Sequence, residues 1–198
     1  TVWLPCNSAT IAKQYRKILD EYAIETSSVP EFVDWQGHDF SMRGMAGLEA
    51  ALMSSAGHLL SFTGTDTIPT IDFLEEYYGA DSDKELVGGS VPATEHSVMC
   101  MGMEDSEIET FRRLINDVYK TGIVSIVSDT WDFWKVITIY LQELKNEILV
   151  RDGKVVIRPD SGDPVKIICG DPNAAAGTPE FKGAVECLWE TFGGTMTD

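Results

Sequence analysis

Residues 122–129 read GIVSIVSD, and this stretch decides the fold. Ile123, Val124, Ile126 and Val127 around Ser125 form a short β-branched run that reads as a buried strand, and Ser128-Asp129 end it on polar ground. Ser128 or Thr130 can then cap a long helix, in which Phe133, Ile137, Leu141, Leu144 and Ile148 make one apolar stripe. Asp152-Gly153 turn the chain into a second strand, Lys154 to Ile157. Strand, helix and strand in this order make a unit whose two strands run parallel.

The same alternation extends outward. Upstream, Ser106 and Glu109 fit a capping box opening a helix through Tyr119, which Gly122 breaks. Glu85 to Val91 reads as a weaker strand, Thr70 to Tyr78 as a helix stopped by Gly79, and Leu59 to Phe62 as a strand after the helix Gly44 to His58. Phe32 to Trp35 reads as a strand following the Ser27-Ser28-Val29-Pro30 break. Before it lies a helix capped at Asn7 or Ser8, with Ile11, Tyr15, Ile18, Leu19 and Tyr22 at helical spacing. Downstream, a loop over Gly162 to Gly177 precedes a helix from Pro179 to Phe192. Alternation repeated about five times calls for an α/β fold with a parallel sheet. An open doubly wound sheet and part of a β/α barrel both fit, and both bind ligands at the carboxyl ends of the strands. We expect residues 1–30 to be a helical lead-in and residues 31–198 to be one β/α portion.

Composition narrows the partners. The 198 residues are 43% hydrophobic and 24% charged, as in ordinary globular proteins, but the formal net charge is −17. Such a surface argues against nucleic acid, while a small anion needs only a few local donors. Cys6, Cys100, Cys169 and Cys187 are too scattered for a zinc or disulfide framework, so a reduced, cytoplasmic setting is expected. The first residues lack the pattern of a signal peptide, and no apolar run nears the roughly 20 residues that span a bilayer. Opening on Thr1 and stopping at Asp198 without a clear ending, the sequence reads as a fragment.

Chemistry-bearing residues collect at one set of strand ends. Asp66 follows the Phe62 run, Glu95 and His96 follow Val91, Asp129 follows Val127, and Arg158 and Asp160 follow Ile157. The opposite ends carry turn residues, and a barrel-type active site has this distribution. Each piece also has a plainer reading. Arg158-Pro159-Asp160-Ser161-Gly162 makes a good turn, while Gly64-Thr65-Asp66-Thr67 and Ser128-Asp129-Thr130 make good helix caps. A lone histidine is more often structural than catalytic. Phe40 and Arg43, between a strand and a helix, would suit ring stacking and phosphate binding, or simply core packing and a surface ion pair.

Taken together, these blocks resemble the nicotinamide phosphoribosyltransferase family. The blocks are His38-Asp39-Phe40 with Arg43-Gly44, Ser61-Phe62-x-Gly64-Thr65-Asp66-Thr67, Ser90-Val91-Pro92-Ala93-x-Glu95-His96-Ser97, Val127-Ser128-Asp129 with Asp132, and Ile157-Arg158-Pro159-Asp160-Ser161-Gly162. The resemblance runs over roughly Phe32 to Gly162, in order and spacing. It implies part of an irregular β/α barrel of the type II phosphoribosyltransferase kind. The implied enzyme makes nicotinamide mononucleotide and pyrophosphate from nicotinamide and phosphoribosyl pyrophosphate in NAD salvage, with Mg²⁺ present, ATP as a coupled phosphoryl donor, and a homodimer that shares its active site. It further implies that Phe40 stacks on the nicotinamide ring, that Asp66 accepts from the carboxamide with Ser125 nearby, and that Arg43 and Arg158 contact phosphate or base. Asp160 would meet the ribose hydroxyls, His96 would be the phosphorylatable histidine, and Asp129 would organise that histidine or the metal region. The glycine-rich phosphate elements of the family lie beyond Asp198, and its amino-terminal aromatic clamp precedes Thr1. Nicotinate phosphoribosyltransferase, or a truncated non-catalytic homologue binding nucleotide or a partner chain, are the alternatives.

Overall fold

The computed structural model describes residues 2–194, so the last four residues of the expected 31–198 portion lie outside the described residues. The chain forms two compact units, one of residues up to Ser90 and one of residues from Val91 onward. Each is described by itself.

In the first unit a helix over Trp3–Thr26 packs on the helix Leu48–His58. It begins before the expected cap, because the Ser8 hydroxyl donates to Ser54 O (2.6 Å) across the pair instead of to its own helix end. Gly57 allows the close approach, since a β-carbon there would lie 2.6 Å from Pro5 O. Arg16, paired with Asp20 one turn along the same helix (2.8 Å), ties the helix down through Asp34 (2.6 Å) and Ser61 O (2.9 Å).

Two of the expected strands are turns. Pro30–Trp35 winds as a 3₁₀ helix that buries Val33 and leaves Phe32 and Trp35 exposed. Pro30 presets its first position, and a run of only four apolar-rich residues could not distinguish the two periods. At Leu59–Phe62 the preceding helix unwinds, with Ser61 N–H and Phe62 N–H both donating to His58 O (3.0 and 3.3 Å). The strands lie just beyond each turn: β1 is His38–Asp39 and β2 is Gly64–Thr65, parallel, with His38 opposite Gly64 and Asp39 opposite Thr65. The Glu85–Val91 candidate is reduced to a single parallel bridge between Gly89 and Gly64.

In the second unit β3, Thr121–Val127, and β4, Asp152–Arg158, are a seven-residue parallel pair in the register Thr121↔Asp152 to Val127↔Arg158. Val124, Ile126 and Val127 are fully buried, against Phe111, Ile115, Phe133, Ile137 and Leu141. The helix between the strands starts at Phe133, because Asp132 rather than Ser128 or Thr130 caps it, accepting from Lys135 N–H (3.0 Å). The expected stripe is buried at Phe133, Ile137, Leu141 and Leu144, and a π-helical turn over Val136–Tyr140 lies within it. Ser106 makes no side-chain cap, since Glu109 pairs instead with Arg112. The expected loop after Gly162 contains a helix, Pro164–Cys169, capped by Asp163, and the last helix divides at Gly183 into Pro179–Lys182 and Ala184–Phe192.

The architecture is therefore α/β, with parallel strands separated by helices. Gly122 and Gly153, both turn signals in the sequence, are a facing pair at the start of β3 and β4. Gly153 has φ +145°, and a β-carbon there would fall 2.0 Å from Gly122 O. Gly153→Ala should therefore cost about 1–3 kcal/mol of stability. Gly44→Ala, where a β-carbon meets nothing within 4 Å, should cost under about 0.5 kcal/mol. Chaotrope unfolding of the two variants checks the difference.

Candidate functional site

Successive strand residues point to opposite faces, so His38 and Asp39 at the end of β1 go different ways. Asp39 turns inward and is only 7% exposed. Its carboxylate accepts from Thr65 Oγ1 and Thr67 Oγ1 (both 2.8 Å), from Ser41 N–H (3.2 Å) and from the Ser41 hydroxyl. Burial alone would push this carboxyl up, but the hydroxyl donors of Ser41, Thr67, Thr65 and Ser55 hold it below the ordinary carboxylate range. Phe40 sits between Asp39 and Ser41, and Asp66 between Thr65 and Thr67. One buried charge thus fixes the backbone on both sides of two candidate site residues, with Asp66 N–H also donating to Asp39 O (2.9 Å).

His38, on the other face, bonds Asp66 Oδ1 through Nε2 (2.7 Å), and Ser90 Oγ donates to the same oxygen (2.6 Å). An ionised carboxylate only accepts, so Nε2 carries the proton. Among the described residues, Oδ2 of Asp66 receives no hydrogen bond. Phe40 is 41% exposed, its ring 4.9 Å from that of His38 between centroids and the Arg43 guanidinium 5.6 Å from its centroid. Phe40, Arg43 and Asp66 therefore meet in this unit, around an aromatic face and an open acceptor.

The second cluster has the same logic. Asp129 follows β3, and its side chain is 6% exposed. Its Oδ1 bonds His96 Nε2 (3.1 Å), while Oδ2 accepts from Asp160 N–H (2.9 Å) and Ser161 Oγ (2.6 Å). Burial would raise this carboxyl too, but the bonds from Ser161, Asp160 N–H and His96 lower it. The Arg-Pro-Asp-Ser-Gly turn is thereby strapped to the end of β3, which brings Asp160 Oδ2 to 4.0 Å from His96 Nδ1. Arg158, at the end of β4, donates from Nη2 to Thr94 O (2.8 Å), and its Nε is buried without a partner among the described residues. Thr94 in turn binds Val127 N–H through Oγ1 (3.0 Å). Ser125 is buried in the middle of β3, its backbone bonded to Pro92 O (2.8 Å) and Thr94 N–H (2.9 Å). His96, Asp129, Asp160 and Arg158 are thus brought together in this unit, and Ser125 lies on β3, the strand that Asp129 follows.

Sequence reasoning passed over Asp39, Thr65, Thr67 and Thr94 as site organisers. The hydroxyls flanking Asp66 were the available signal. Another buried carboxyl, Glu107, lies on the helix Glu107–Arg113, and burial raises its pKa to about 7.

A profile of the nicotinate phosphoribosyltransferase (NAPRTase) family matches residues 35–198. The chain is 57% identical over 202 residues to a nicotinamide phosphoribosyltransferase of Acinetobacter baylyi, an overlap of 99% of this chain and 39% of that protein. It is 39% identical over 172 residues to the nicotinamide phosphoribosyltransferase of Mycoplasma genitalium (87% of this chain, 35% of that one). Against the protein of that name from Xanthomonas campestris pv. campestris it is 34% identical over 170 residues (84% and 36%). The chain therefore spans between 35% and 39% of the length of these curated relatives.

The Asp39 carboxyl gives a pH test. Its pKa in the fold lies below that of the unfolded chain, so its stabilisation is complete above the ordinary carboxylate range and is lost as pH falls through the lowered value. Asp39→Asn should cost about 2 kcal/mol at neutral pH. The gap between wild type and variant, read from unfolding curves, should close toward acid.

Proposed function

The chain belongs to the nicotinate phosphoribosyltransferase family, and from that premise we propose that it carries the base-recognising and histidine-bearing parts of an enzyme making nicotinamide mononucleotide and pyrophosphate from nicotinamide and phosphoribosyl pyrophosphate. The observation that carries the choice of base is Asp66, anchored by Oδ1 to His38 and Ser90 with Oδ2 open. A carboxamide N–H can donate to that oxygen, whereas the carboxylate of nicotinate would meet a like charge. The relatives' shared name, nicotinamide phosphoribosyltransferase, points the same way.

In this reading the nicotinamide ring lies on the exposed face of Phe40, its ring nitrogen free to attack C1′ of the phosphoribosyl group. The N1–C1′ bond forms as the bond from C1′ to the pyrophosphate oxygen breaks, and positive charge gathers on the ribose as in glycoside cleavage. The ring nitrogen is already nucleophilic, so positioning and electrostatics supply the rate. Arg43 and Arg158 are assigned to phosphate or base, Arg158 having a buried Nε without a partner among the described residues. Ser125 is assigned to the base, and Asp160 to the ribose hydroxyls. Among the described residues no three carboxylates, histidines or cysteines are grouped to hold a metal ion, so Mg²⁺ would be carried mainly by phosphate oxygens, with the exposed carboxylate of Asp160 as the one protein ligand, and would offset the charge of the leaving pyrophosphate. Asp129 is a poorer ligand, since both its oxygens are taken.

His96 is assigned the ATP-coupled step. Asp129 holds its Nε2–H, which leaves the lone pair on Nδ1. Nδ1 would take the γ-phosphoryl group of ATP as ADP leaves. We further assign the strands to an irregular β/α barrel of the type II kind, with a homodimer completing the site. The free cysteines suit a cytoplasmic enzyme, and among the described residues no helix is long and apolar enough to cross a membrane.

Two outcomes test this reading. Asp66→Asn should cut the ratio of kcat/KM for nicotinamide over nicotinate by about 10²-fold, measured with each base under saturating phosphoribosyl pyrophosphate. Incubation with γ-labelled ATP should give an acid-labile label that His96→Ala abolishes; label that survives the substitution removes His96 from the step.

A further inference from the structure

His38 was not among the residues singled out for catalysis or substrate binding, yet its imidazole touches both parts of the base recogniser. Through Nε2 it holds Asp66 Oδ1 at 2.7 Å. Its ring centroid lies 4.9 Å from that of Phe40, tilted by 48°. On its other side the ring is seated against Gly64, where a β-carbon would come within 2.6 Å of Nδ1. The glycine two residues before Asp66 therefore makes room for the imidazole, and Gly64 and His38 are direct partners in the β1–β2 register. These contacts on three sides fix the ring.

We propose that His38 is a positioning residue that sets specificity for the base through Asp66: it pins Oδ1 and so aims Oδ2 at the carboxamide as the acceptor. This rests on the reading of Asp66 as the carboxamide acceptor. Aimed in this way, Asp66 accepts from a carboxamide and opposes the carboxylate of nicotinate. The other ionisable groups around the ring are Asp39 on β1, turned to the opposite face, His58 from the helix Leu48–His58, whose charged form His38 opposes, and Arg43 over Phe40. Asp39 is held by its own four donors, so Asp66 is the carboxylate that His38 holds.

The test is the ratio of kcat/KM for nicotinamide over nicotinate in the intact enzyme at neutral pH. Wild type should prefer nicotinamide. His38→Gln keeps an N–H donor for Asp66, so it should retain the preference within about twofold. His38→Ala leaves Asp66 unaimed and should lose the preference by about tenfold, chiefly through KM for nicotinamide, while its KM for phosphoribosyl pyrophosphate stays within about twofold. A His38→Ala ratio equal to that of wild type overturns the role of His38 while leaving Asp66 standing. A wild type that prefers nicotinate, or turns over neither base, overturns the reading of Asp66 and this one with it. Should His38→Ala fail to fold, His38→Leu, which fills the place of the ring without a donor, is measured in its stead.

Discussion

A single buried carboxylate, Asp39, is what the first unit's site depends on. Removing an ionised carboxyl from water costs several kcal/mol, and the fold recovers this only by turning Ser41, Thr65 and Thr67 inward as donors. Hydrogen bonds to a charged group are worth about 1.5–3 kcal/mol each, so the set can offset the burial, as the lowered pKa reflects. The strands involved are only two residues long. Backbone pairing alone is a weak clamp at that length, and the carboxylate cross-links their ends where the chain leaves each one. Phe40 and Asp66 are held because their neighbours are held.

Asp129 does comparable work in the second unit, with a different result. Its two oxygens are divided between a histidine ring and the backbone and side chain of the Arg-Pro-Asp-Ser-Gly turn. What could have been an ordinary surface turn is thereby fixed with Asp160 beside His96. In both units the carboxylate that organises is buried and fully bonded, while the carboxylate left for a ligand, Asp66 or Asp160, keeps an oxygen open. This division of labour follows from burial: a charge without solvent must spend its acceptors on the protein.

The long elements were legible in the sequence because their period and length left no competing assignment. The GIVSIVSD strand and the helical stripe from Phe133 emerged close to where they were read. The short runs failed for the opposite reason. Phe32–Trp35 and Leu59–Phe62 carry strand-like residues, but four residues do not define a period, and local turn bonding with Pro30 and with His58 O won. The caps failed where a hydroxyl found a tertiary partner, as Ser8 did with Ser54. For the candidate site, the motifs pointed to Phe40, Asp66, His96, Asp129 and Arg158, which the fold gathers into two clusters, one within each unit. They could not show that His38 and Asp66 bond each other or that Asp39 points inward, because two residues in a strand give no sign of which face is buried.

The most direct test of the account is the structure of the intact enzyme with nicotinamide bound. The account predicts the carboxamide nitrogen within hydrogen-bonding distance of Asp66 Oδ2, the ring against Phe40, His38 still on Oδ1, and Asp39 keeping its bonds to Ser41, Thr65 and Thr67. Nicotinamide bound away from Phe40, or bonded to an Asp66 that has released His38, would contradict it.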